Sequence, residues 1–194
     1  MAHIHTGENQ HDHTVSGFIF LKDEYGVPHL LLHMHRKVGK LLQIGGHIEL
    51  DENPWDAIKH ELAEETGYDV EQLSIYQPVE RLINLPNAIV HPVPVVVNTH
   101  NYESGDTSHR HIDTVYAFLA TSLPKNLPES GESNDIRWFT KHQLRRLSLD
   151  ETTANAKAIG EYIFEHVIPN WKLETPYAFT QEGQGYLNKW EQGV

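Results

Sequence analysis

Three glutamates, Glu61, Glu64 and Glu65, stand within five consecutive positions of a segment that reads as a helix. At roughly 100° per residue they fall together within an arc of about 100°. Such crowding is unfavourable by itself, because like charges at i,i+3 and i,i+4 repel on an exposed helix and repel more when desolvated. A hard divalent cation removes the penalty. Oxygen donors in a chain without cysteine point to Mg²⁺ or Mn²⁺ rather than zinc. The bland alternative is a solvated acidic helix face.

The helix that must carry them is well delimited. Asn53 is a good N-cap, Pro54 suits the first helical position, Asp56 sits where a capping box wants an acid, and Gly67 can take the left-handed residue that ends the helix. The helix is therefore expected over about 54 to 66. Trp55, Ile58, Leu62 and Thr66 form its buried stripe beside the acids, and a glycine loop, Gly45-Gly46, feeds into it.

Gly46, Glu52, Glu61, Leu62, Glu64, Glu65, Gly67 and Tyr68 stand at the spacing of the Nudix box, and the stretch resembles it. One position departs: His60 stands where that family has arginine. The resemblance covers residues from about 14 to 168 and implies an α/β fold, the α/β/α sandwich with a mixed sheet between helices. It further implies a pyrophosphohydrolase dependent on Mg²⁺ (or Mn²⁺), cleaving a diphosphate linkage in a nucleoside diphosphate derivative. A nucleotide sugar such as ADP-ribose and a (d)NTP are both open as substrates.

By the same resemblance Glu61, Glu64 and Glu65 would be metal ligands, with the carbonyl of Gly45 a further one. Gly46, Glu52, His60 and Gly67 would be structural, Glu52 holding the loop to the helix through the residue at 60. Family members also bring a carboxylate from the loop before a late Trp-Phe strand, a position matched by Glu132, with Glu129 in reserve. Glu61 and Glu132 are both candidates for the general base, and Glu61 is preferred because it lies in the matched motif. The rival reading is a Nudix-like module that binds a nucleotide ligand without turnover. The isopentenyl diphosphate isomerases that share the fold commonly use a cysteine, which this chain lacks.

Composition narrows the setting. With 194 residues and 39% apolar content, one soluble domain with a sizeable core is expected. The longest apolar stretches are too short to span a bilayer, and the absence of cysteine fits a reducing cytoplasm. A formal charge of −12 argues against nucleic-acid polymers and anionic membranes as partners. Small phosphorylated substrates stay compatible with it, given a local basic pocket and bound cations.

Along the chain, residues 1 to 13 read as a mobile polar segment containing His3, His5, His11 and His13. Residues 15 to 21 and 29 to 35 read as a hairpin leading to Arg36, Lys37 and Lys40, which are placed to meet phosphates. Strands are expected at 70 to 76 and 88 to 97, the second an edge strand because of Pro92 and Pro94. His109, His111 and Asp113 alternate onto one face of a further strand, as a second metal centre, a substrate contact or an ordinary polar strand face. Beyond a loop over 122 to 133 come a strand at 136 to 139 and a short helix capped by Thr140. A longer helix capped by Asp150 follows to about 167, with Ala158, Ile159, Tyr162, Ile163 and Val167 as its apolar face. The extension over 169 to 194 is rich in aromatic residues, so it is expected to pack on its own domain or on a second subunit as a homodimer.

Overall fold

The computed structural model describes residues 10–104, 107–180 and 183–184; His3, His5, Tyr186 and Trp190 lie outside the described residues. The first strand begins at His11, four residues before the expected start, because its polar residues alternate onto a face that other strands cover. In chain order the elements are β1 (His11–Lys22), β2 (Pro28–His35), β3 (Lys40–Leu42), β4 (Ile44–His47) and α1 (Pro54–Thr66). Then come β5 (Leu73–Gln77), β6 (Val96–Ser104), β7 (Thr107–Ala120), β8 (Ile136–Phe139), α2 (Lys141–Arg146), α3 (Ala154–Tyr162) and β9 (Lys172–Glu174).

The nine strands among the described residues belong to one mixed sheet. Its spine is the parallel pair β1 and β7, in register from His11 opposite Arg110 to Leu21 opposite Ala120. The remaining pairings are antiparallel. The outer edge of β1 is shared, β4 pairing its first half and β2 its second. The outer edge of β7 is shared likewise between β6 and β5.

Each spine strand changes character along one face. On β1, Asp12, Thr14 and Ser16 give way at period two to Phe18 and Phe20; on β7, His109, His111 and Asp113 give way to Val115 and Ala117. The apolar halves lie under α2, α3 and the turn after it, in a core with Leu144, Ile163 and Val167. The opposite face, with Val15, Ile19, Tyr116 and Phe118, packs on Trp55, Ile58 and Leu62 of α1. Helices on both faces of a mixed sheet make the α/β sandwich that the sequence implied. None of the described helices is long and apolar enough to cross a membrane.

Several boundaries differ from expectation. Residues 70–72 form a 3₁₀ turn ahead of β5, with Asp69 accepting from and bonded back to Gln72. The strand expected at 88 to 97 is loop as far as Val95, and β6 starts at Val96, after Pro92 and Pro94, which cannot donate to a ladder. The long helix is capped by Thr153, whose hydroxyl accepts from the Ala156 amide. Asp150 lies in the preceding turn, where Glu151 accepts from the Ser148 amide and hydroxyl. The buried stripe of that helix is Ala156, Gly160, Ile163 and Val167, whereas Ala158 and Tyr162 point outward. Gly160 sets this orientation: a Cβ there would come within 2.8 Å of Leu144, so the helix seats on its glycine. The end of the helix widens into a π turn over Ile163–Val167.

Past this helix the chain returns to the sheet. β9 pairs with β5, and the Arg81 guanidinium, ion-paired with Glu174, lies 4.7 Å from the Phe179 ring centroid. Phe179 is buried with its ring 5.6 Å from that of Trp55. Phe179→Ala is expected to lower the stability of the whole domain by about 3 kcal/mol. A thermal melt of the variant unchanged from the parent would show the segment to be dispensable.

Candidate active site

α1 is held at both ends by contacts the sequence dictates. The Asn53 side chain accepts from the amides of Trp55 and Asp56, and its own amide group bonds the Asp56 carboxylate. At the other end Gly67 has φ of 74°, and the Asn126 amide donates to its carbonyl at 3.3 Å. Burying the Trp55, Ile58 and Leu62 face against the sheet leaves Glu61 and Glu64 half-buried and Glu65 buried beside β4.

Two glycines let β4 approach these acids. The Gly45 amide donates to Glu65 Oε2 at 2.8 Å. At Gly46 an added Cβ would fall on the Glu61 carboxylate, so only glycine leaves Glu61 its place. The loop carrying Glu132 is fastened across the end of α1 and the cavity mouth. Its Glu129 amide donates to the Glu64 carbonyl at 2.7 Å, and Arg36 Nη1 donates to the Gly131 carbonyl at 2.5 Å.

The electrostatics are those of carboxylates forced together. Burial, reinforced by the charges of Glu64, Glu132 and Glu52, pushes the Glu61 pKa up from 4.5 to about 7, with His60 opposing. Burial and then Glu61 raise Glu65 well above the usual range, against the Gly45 amide. His33 lies 3.6 Å from Glu65, and burial together with nearby His35 depresses its pKa to about 4. It is therefore a neutral neighbour and gives Glu65 no counter-charge at pH 7.

His60 bridges the loop and the helix. Its Nδ1 is 3.2 Å from Glu52 Oε1 and its Nε2 is 2.9 Å from Glu64 Oε1. Partial burial opposes its charge, but the carboxylates of Glu64 and Glu52 outweigh burial and raise its pKa. The imidazolium, a donor at both nitrogens, satisfies both acids at once.

A cavity of about 700 Å³ opens from these acids. Glu61, Glu64, Glu65, Glu132, Gly45, Gly46, Arg36, Lys37, His111 and Asp113 all line it. Lys40 and His109 do not: Lys40 Nζ donates to the Leu149 carbonyl at 2.6 Å, and His109 sits behind the wall, its Nε2 3.0 Å from His111 Nε2. Glu52, His60 and Gly67 act from outside the lining, through the bridge and the helix cap just described.

The cavity floor is a polar network that the sequence did not suggest. Buried Asp113 accepts from Ser16 at 2.9 Å and from Thr14 at 3.1 Å, and Gln43 donates to the Ser16 hydroxyl at 3.1 Å. Burial raises the Asp113 pKa while these hydroxyl donors pull it down. His47, His100 and Tyr102 complete the wall around His111, whose pKa is lowered to about 4 by burial and then by the neighbouring histidines. The alternation of Asn98, His100 and Tyr102 along β6 was the readable signal for that wall. His47 was hidden inside the motif as a spacer.

Comparison with known proteins agrees with this architecture. The NUDIX domain model matches residues 11–161. A NUDIX-family hydrolase from Clostridium perfringens is 32% identical with a TM-score of 0.59, the match covering 77% of this chain and 93% of that one. The C. elegans Ap4A hydrolase, solved as a binary complex, is 15% identical with a TM-score of 0.52, covering 78% and 94%. The NUDIX domain of Shewanella oneidensis NrtR, solved with ADP ribose, is 14% identical with a TM-score of 0.50, covering 80% and 86%. The last two likenesses are of fold alone. No curated protein matches the chain.

Proposed function

The chain belongs to the NUDIX family of pyrophosphohydrolases, and from that premise we propose that it hydrolyses a diphosphate linkage in a nucleoside diphosphate derivative, with Mg²⁺ or Mn²⁺ as cofactor. The observation that carries this reading is the convergence of Glu61, Glu64, Glu65 and Glu132 at one end of the cavity, where burial raises the pKa of Glu61 to about 7. These are oxygen donors with excess negative charge, which fits a hard dication. Glu61, Glu64 and Glu65 would hold it, with the Gly45 carbonyl as a further ligand. A metal held there would supply neutralisation of the diphosphate charge, polarisation of phosphorus and a more acidic water.

The protein's own groups do the rest. Glu61, an acid of the matched motif that lies in the cavity lining, would take the proton of the attacking water. Glu132, fastened by the Glu129 and Arg36 bonds, is the second candidate for that proton. Arg36 and Lys37 meet phosphate oxygens from the cavity wall, and His111 and Asp113 meet the polar part of the group that is released. Lys40, engaged with Leu149, has no part in this contact set.

A product screen by ion-pairing chromatography tests the proposal. Protein with Mg²⁺ or Mn²⁺ is offered ADP-ribose, other nucleotide sugars, (d)NTPs, NADH and dinucleoside polyphosphates, with Glu64→Gln as control. ADP-ribose and Ap4A head the panel because proteins of the same fold bind the one and hydrolyse the other. Turnover of one class, lost in Glu64→Gln, is expected. Silence across the panel with nucleotide still bound would replace the enzyme with a nucleotide-binding module.

His60→Arg is expected to keep or raise activity. The raised pKa of His60 means its bridge is complete at low pH and is lost as pH rises through that pKa. Arginine stays charged, so the variant should lack the alkaline-side decline that this loss causes. A large loss of activity with unchanged folding would assign His60 a direct role.

A further inference from the structure

The cavity wall holds a second cluster whose donors differ from the carboxylates. One nitrogen from each of His47, His109 and His111 lies within 4.8 Å of the others. We infer that these three imidazoles form a second metal centre, for a transition-metal dication of the zinc class.

One pair of donors already stands near the spacing of a coordinated ion, and the third is within reach. Two nitrogens on one tetrahedral cation with bonds of about 2.0–2.1 Å stand roughly 3.3 Å apart. His109 Nε2 and His111 Nε2 are 3.0 Å apart, so that pair need part by only a few tenths of an ångström, while the His47 nitrogen, within 4.8 Å of both, closes in by up to about 1.5 Å to complete the set. A hydrogen bond between these two rings accounts for one pair. The arrival of a third imidazole from another strand is what a coordinated ion requires and what a hydrogen-bonded pair does not.

The donors are also pre-positioned. His47 comes from β4 and the other two from β7, and β1 pairs with both strands, fixing their separation by backbone ladders. Tyr102 stacks on the His111 ring at 4.6 Å and 15°, and the His47 ring meets the same imidazole edge-on at 5.0 Å. Buried Asp12, opposite His111 in the β1–β7 register, has its carboxylate 3.4 Å from His47 Nε2. Carboxylates so placed orient imidazole ligands in metal sites.

Donor chemistry selects the ion. Imidazoles suit zinc, copper, nickel and iron, whereas Mg²⁺ takes oxygen, so the two clusters would hold different ions. Three protein ligands leave one tetrahedral position open. Because His47 and His111 line the cavity, a water or anionic ligand could reach that position from it. The inference goes beyond the proposed hydrolysis: with an ion bound, His111 would meet the substrate through that ion rather than directly, and failure of the inference would leave the proposed hydrolysis intact.

Metal-stripped full-length protein titrated with Co²⁺, read by its visible absorption, tests it. The expected result is one tight equivalent with the bands of a tetrahedral nitrogen-ligated ion. It should persist in Glu64→Gln, which alters the carboxylate cluster, and in His3→Ala/His5→Ala, which removes histidines near the chain start. In His109→Ala/His111→Ala the affinity should fall by more than the roughly 10–100-fold that losing an outer partner costs. Absence of a tight equivalent in the parent would overturn the inference, as would its loss in Glu64→Gln or its survival in the double variant. Should the double variant not fold, X-ray absorption of the parent loaded with one equivalent of Zn²⁺ decides the matter. Three imidazole nitrogens at about 2.0–2.1 Å support the site, and a shell of oxygens alone overturns it.

Discussion

Glu61→Gln is expected to abolish most of the proposed metal-dependent hydrolysis while making the metal-free protein more stable. The two effects share one cause. Burial and three neighbouring acids hold the Glu61 pKa at about 7 in the folded chain, against 4.5 unperturbed. The folded state therefore binds a proton that the unfolded state has released between those two values. Its contribution to stability falls as pH rises through that window and is fully lost above it. The difference amounts to roughly 3 kcal/mol at pH 8, or about 6–12 °C in a chain of this size. Glutamine removes this cost, so the gain should be present at pH 8 and absent at pH 4.5.

Function moves the other way. Without the carboxylate the proposed base and one proposed metal ligand are gone, and kcat should drop by about 10²–10⁴-fold. Mg²⁺ is expected to stabilise the parent at pH 8, and to stabilise the variant less. Thermal melts at both pH values with and without Mg²⁺, beside a rate measurement, check all three expectations. A variant less stable than its parent at pH 8 without metal would refute the account of strained carboxylates.

The neighbouring glycines should separate folding from function. At Gly46 the added methyl of alanine meets only the far end of the Glu61 side chain, which can swing aside. Gly46→Ala should fold with a loss of about 1 kcal/mol or less. Catalysis should suffer about 100-fold, since displacement by an ångström is enough to spoil a positioned group. At Gly45 the φ of 150° disfavours any side chain, and the methyl would overlap the Val15 carbonyl with Ser16 Cα 3.0 Å away. Neither can move without breaking the β1–β4 pairing, so Gly45→Ala should cost about 3 kcal/mol or more and reduce soluble yield. Equal effects of the two substitutions on stability would contradict this division.

What the sequence revealed was mostly local. Asn53, Pro54 and Gly67 delimit α1 because caps depend on residues a few positions apart, and the structure places the helix where they put it. The box acids were legible for the same reason. The floor of the cavity was not, because its bonds join residues such as Ser16 and Asp113, separated by 97 positions, and nothing in either neighbourhood points to the other. Asp150 and Thr153 are both sound N-caps, and only the Ser148 turn decides between them. The start of β6 was misplaced because apolar residues among prolines look like an edge strand whether or not a partner is present. Lys40 was close to the cavity in sequence, yet β3 turns its ammonium towards Leu149.

The pairing of β9 with β5 also bears on how the molecule behaves in a crowded solution. Ile75, Tyr76 and Gln77 face Glu174, Leu173 and Lys172, so the outer ladder of β5 is occupied by the protein's own chain. A sheet margin left open is a template on which other copies can add strands and grow. Here the margin is passed to a strand of three residues carrying Lys172 and Glu174, too short and too charged to extend the ladder further. The segment after the last helix thus closes the β5 margin with a short charged strand, the arrangement by which sheet margins resist self-templated growth.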